Sequence, residues 1–125
     1  MDSRVERLAH LLVDYSVDVQ PGERVAILST PAAADLVRLV YERVLQRGGH
    51  PLLHIGLPGI DEILYRVADE NQLSFISPVD RTIFEEYEVL ISIRAATNTR
   101  ELNSVDPSRQ TIRSKARRPL MQTYM

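Results

Sequence analysis

The run GGHPLLHIG places His50 and His54 four residues apart, the spacing at which a helix offers two imidazoles to one metal ion. On a helix their Cβ atoms would stand about 6 Å apart. The flanking residues argue for another conformation. Gly48-Gly49 ends the preceding segment, and Pro51 pushes His50 toward an extended backbone. Pro51-Leu52-Leu53-His54-Ile55 is short, apolar and bounded by glycines, which reads as a buried strand. Four residues of strand span about 13 Å, too far for one ion to bridge. His50 is therefore expected at a strand entrance and His54 packed or hydrogen-bonded near its end. His10 falls beside a helical stripe and reads as a surface residue.

Other chemistry is thin. There is no cysteine, so neither a disulfide framework nor a thiolate metal site is available. Asp61-Glu62, Asp69-Glu70 and Glu85-Glu86 are sequence neighbours; on helices such pairs diverge by about 100° and form solvated faces, not acid/base pairs. No G-x-S-x-G elbow occurs, and STPAAAD after the first strand lacks the glycines of a phosphate loop. The helix start at Thr30 is a weak candidate for anion binding through free N–H groups. Arg94, Asn98, Thr99 and Arg100 gather where the third strand empties into a loop. Ligands of parallel sheets sit at the carboxyl ends of strands, so these four are the candidate cleft lining. The favoured alternative is that Asn98 and Thr99 shape a turn and the arginines meet acidic neighbours. The residues alone indicate an α/β domain without an assembled catalyst.

The elements that must position these groups follow from periodicity. Val5, Leu8, Ala9, Leu12 and Val13 form a helical stripe that Asp2 or Ser3 can cap. Pro21-Gly22 suits a type II turn leading into a strand over 25–28. Thr30-Pro31 opens a helix with a capping threonine, its buried face expected from Leu36, Val37, Val40, Val44 and Leu45. Strand, helix and strand make a right-handed parallel βαβ unit. Ile60, Ile63, Leu64 and Val67 predict a helix, Leu73, Phe75 and Ile76 a short one, and Val79, Ile83, Phe84 and Tyr87 another. Residues 89–93 are the third strand. The expected fold is α/β: a three-layer arrangement with a small parallel sheet of about three strands, order 2-1-3, flanked by helices like half a Rossmann fold. Residues 1–105 would form this domain. Residues 106–125 would form a basic C-terminal helix, opened by Asp106-Pro107, with a thin stripe of Ile112, Ala116, Leu120 and Tyr124 and a kink at Pro119. No stop signal follows that helix, so further chain is expected after it.

At 125 residues, 44% hydrophobic and 26% charged, the chain has ordinary globular composition. Its start lacks the basic and apolar regions of a signal peptide. No apolar run approaches the roughly 18 residues of a membrane span, and a cytoplasmic location is expected. The net charge of −2 is uneven. Through Ile93 there are 8 Lys/Arg against 15 Asp/Glu, and from Arg94 onward 7 against 2. The basic cluster RQTIRSKARRP has no interleaved aromatics to stack on bases. A solvated helix face, or a surface meeting an acidic neighbour, is favoured over nucleic-acid binding.

The ordered series VQPGERVAI, RGGHPLL, LPG, SPVDR, SIRAATNTREL, VDPSRQ and ARRPLMQTYM resembles the start of the aminopeptidase T family of thermophilic metallo-aminopeptidases. IRA through NTR to VDP-x-RQ and RPLM is the most specific part. The resemblance implies the N-terminal scaffold and interface domain of a dimeric exopeptidase that removes N-terminal residues from peptides. It also implies a divalent metal (zinc, cobalt or manganese) whose ligands belong to a later catalytic domain, so no catalytic or metal residue is carried onto this sequence. The isolated chain is then expected to be inactive. A homodimer contact is expected through Leu120, Met121 and Tyr124. The alternative is a stand-alone α/β module binding a small anionic ligand, with the basic-tailed nucleic-acid binder after it.

Overall fold

The computed structural model describes residues 3–94 and 105–124, the last two of these by backbone only. The chain divides into two packed units: Met1–Gly56 with Tyr87–Ala96, and Leu57–Glu86 with Thr97–Met125.

The first unit is built on a parallel sheet. β1 (Arg24–Ser29) lies between β2 (His50–Ile55) and β3 (Val89–Ser92), in register Arg24↔His50 and Val25↔Val89. The order is the expected 2-1-3. Pro21-Gly22 makes the expected turn, with Gly22 at φ 85° and Glu23 N–H donating to Gln20 O. Val25, Ile27, Val89 and Ile91 pack against Ala9 of α1 (Ser3–His10), Val13 and Val19, and against Val37, Val40 and Val44 of α2 (Ala34–Gln46). Ala26, on the opposite side of β1, is also fully buried.

Two expected faces are corrected here. In α2 the buried line is 37, 40 and 44, flanked by Leu36, Leu39 and Tyr41. Leu45, one position beyond Val44, is turned about 100° away and is exposed. In α1 Leu8 is likewise exposed, while His10 is exposed as expected. After α1 the backbone widens into a π-helical turn over Leu11–Ser16, with Val17 N–H donating to Leu12 O. Asp14 in this turn accepts from Arg43 Nε at 2.9 Å and Nη2 at 2.7 Å. Arg47 donates to Asp18 and to Val19 O. At the end of α2, a Cβ on Gly49 would stand 2.9 Å from Val19 Cγ1 and 3.0 Å from Val44 Cγ1, so only glycine lets the helix close this tightly.

β2 is a strand, as Pro51 and the glycines indicate, but it is not buried. His50 and residues 52–55 are all exposed, Leu53 to 44%. Of the two expected roles of His54, packed or hydrogen-bonded, its exposure rules out the first. Apolar content could not separate a central strand from an outer one; among the described residues β2 has a single neighbour in the sheet.

The second unit is helical: α3 (Ile60–Val67), α4 (Glu70–Ser74), α5 (Pro78–Glu86) and α6 (Pro107–Tyr124). Asp69 and Gln72 form a reciprocal capping box on α4. Tyr65, Ala68, Leu73 and Val105 make its core, with Leu64 and Ile112 against them. Ile60, Ile63, Val67, Phe75 and Val79, whose spacing predicted the helices, are exposed. α6 runs helically through Pro119 and packs on α4 and α5. It therefore groups with residues 57–86. Leu120 is 4% exposed within the chain, whereas Met121 is 39% exposed. Of Tyr124 only the backbone is described.

Candidate functional site

The carboxyl edge of the sheet is where the fold would place a ligand, at the point where connections from β1 and β3 diverge. Ser29 ties all three strands together there. Its Oγ donates to Ile93 O at 2.9 Å, its carbonyl accepts from Gly56 N–H, and Ile93 N–H donates to Leu28 O. Ser29 is buried at 9% exposure, so its hydroxyl acts as a fastener. Sequence reasoning missed this role, because a serine ending an apolar strand carries no pattern of its own.

Thr30 follows in an extended conformation, φ −129° and ψ 164°. The helix it opens begins with a 3₁₀ turn over Pro31–Ala33, and Ala33 N–H is taken by Thr30 O. The expected side-chain cap is not made. Thr30 Oγ1 is instead buried, with no hydrogen-bond partner among the described residues. Arg94 is exposed just beyond β3. Asn98, Thr99 and Arg100 lie outside the described residues, so the expected cleft is represented here by Arg94 alone.

The perturbed titratable groups are elsewhere, and each is explained by an ion pair or a helix end. Arg43 hydrogen-bonding to Asp14 holds that carboxyl below its ordinary range. Arg24, which also lies over the Tyr87 ring, does the same for Glu88. The Ser108 N–H lowers Asp106 at the start of α6. A pocket of about 470 Å³ in the helical unit is lined by Glu62, Tyr65, Arg66, Val105, Asp106 and Arg109. Its Arg109 is committed to backbone: the guanidinium donates to Tyr65 O and Ala68 O at the end of α3. Arg113 reaches Asp61 and the Tyr65 hydroxyl, and Arg117 pairs with Asp80. The basic cluster thus turns three arginines, spaced four apart, into its own unit. That removes them from any phosphate-binding face.

The model of the thermophilic metalloprotease family M29 matches residues 1–125. The chain belongs to the M29 family. The fold of this M29 chain is similar to that of wild-type AmpT from Thermus thermophilus, with a TM-score of 0.74 and 19% sequence identity. The alignment covers 95% of this chain and 32% of that one, so the M29 chain spans about a third of the length of the protein it resembles. A search of curated proteins gives no match. An M29 protein implies a divalent metal, and the donors present do not fit one. Among the described residues no three His, Asp or Glu side chains come together as a ligand set. His50 and His54 lie on an extended strand, where the helical pairing cannot form. No described helix is long and apolar enough to cross a membrane.

Proposed function

We propose that this chain is the N-terminal scaffold of a metal-dependent aminopeptidase, a cytoplasmic exopeptidase that works as a homodimer and removes N-terminal residues from peptides. The carrying observation is the M29 family match along residues 1–125. The likeness to AmpT over a third of that chain's length fits a part of a larger enzyme. In this reading the chain supplies a folded support, and Arg94 at the carboxyl edge faces the substrate cleft. Zinc, cobalt or manganese would be held by residues of a further domain.

The test compares this chain with a longer polypeptide that carries it at the N-terminus. The longer protein should release the first residue of leucyl peptides with added metal and lose that activity to a chelator. The chain alone should give no turnover, since metal-assisted attack needs an open metal site. A longer protein that leaves peptide N-termini intact with all three metals sinks the proposal.

A further inference from the structure

The pocket of about 470 Å³ is lined from two helical stretches of a single unit. α3 gives it Glu62, Tyr65 and Arg66, which share a face by their spacing of three and four. The entry to α6 gives it Val105, Asp106 and Arg109. Tyr65 and Val105 are buried, at 8% and 9% exposure, and supply an apolar wall. The volume lies in the lower part of the range for small-molecule sites, about 300–1,000 Å³.

Each stretch contributes one carboxylate and one guanidinium. Asp106 and Arg109 are fixed. The Ser108 N–H donates to the Asp106 carboxylate at 2.9 Å and favours its ionised form. Arg109 donates through Nε and Nη2 to Tyr65 O and Ala68 O. Glu62 and Arg66 are looser, 3.9 Å apart, with 37% and 65% of their side chains exposed. An exposed contact of that length holds its partners weakly, so both groups are free to turn to a ligand. Two positive and two negative groups exclude a ligand of one sign, which would meet as much repulsion as attraction. A zwitterion satisfies both. Its two charges must lie close together, because the opposite charges of each stretch are neighbours within one helical turn. An apolar group must fill the space against Tyr65 and Val105.

We infer that this pocket is a binding site for a free α-amino acid with an apolar side chain. Its ammonium group meets Glu62 and Asp106, its carboxylate meets Arg66, and its side chain lies on Tyr65 and Val105. Arg109, tied to backbone, adds positive charge to the wall. An exopeptidase of the kind proposed above releases molecules of this class, and only that link rests on the aminopeptidase reading. In that reading the bound amino acid is a product of the enzyme.

NMR titration of this chain with leucine should shift the amides of Tyr65, Arg66 and Asp106, with a Kd on the order of 1 mM. Leucinamide lacks the carboxylate and N-acetylleucine the ammonium, and each should bind at least about tenfold more weakly. Glu62→Gln and Arg66→Gln, both at partly exposed positions, should each weaken leucine about tenfold. Either analogue binding as tightly as leucine overturns the zwitterion. Shifts unchanged in both variants put the binding elsewhere and overturn the site. So does a chain that shows no shifts up to about 20 mM leucine. None of these outcomes bears on turnover by the longer protein. Leucine binding here with no peptide cleavage there keeps the site and removes its link to a product.

Discussion

Asp14 and Arg43 meet side-on, two nitrogens to two oxygens, with only 16% and 24% of their side chains exposed. The guanidinium lowers the Asp14 pKa from its ordinary 3.8. A depressed folded-state pKa contributes stability that is complete above the unfolded value and fades as pH falls through the folded one. Asp14→Asn should therefore lower Tm at pH 7, and its deficit against the parent protein should shrink below about pH 3.8. Melting both proteins by circular dichroism from neutral to acid pH checks this; a deficit constant with pH would show that the ion pair does not matter. Nothing in VDYSVD signalled the pair. Asp14 reaches Arg43 through a π-helical turn, and a turn closed by an i→i+5 bond leaves no mark in a sequence scanned for α-helical periodicity.

At the scale of elements, the arginine spacing of α6 is a packing code that sequence could show but not decode. Residues 109, 113 and 117 share one helix face by their four-residue spacing. Whether that face meets solvent, phosphate or protein depends on carbonyls and carboxylates far away in the chain. Here Arg109 satisfies the last carbonyls of α3. Arg109→Met should leave them short of a donor and cost about 1–3 kcal/mol. Lys115→Met, at an exposed position, should stay within about 0.5 kcal/mol. Urea melts of the two variants make the comparison, and equal effects would refute the code. The same limit explains the strands. Val25–Ser29, Pro51 and the glycines made the parallel order legible, because chirality and tight connections leave few alternatives. Which strand lay outside, and which side of α3 faced in, depended on neighbours supplied from elsewhere. Arg94 stands just beyond β3, and the Ser29 fastener was not visible in the sequence.

Across the whole molecule, the three-stranded sheet is assembled from pieces at very different distances along the chain. Arg24 and His50 pair after 26 intervening steps of sequence, whereas Ser29 Oγ and Ile93 O, like Arg24 and Glu88, are separated by 64. Loop closure grows with the logarithm of that separation, so the longer one costs about 0.8 kcal/mol more before any contact rewards it. The connection to β2 is also stiffened by α2, which forms within microseconds, and the connection to β3 passes through three separate helices. The consequence is an order of events. The segment 24–56 should be structured in the folding transition state, and β3 should add late and leave early. Val44→Ala should then mainly slow folding, while Ile91→Ala should mainly speed unfolding. Stopped-flow chevrons of the two variants decide it. If Ile91→Ala instead slowed folding as much as Val44→Ala, β3 would be part of the nucleus, and Ser29 would fasten the sheet at the start of folding instead of at its close.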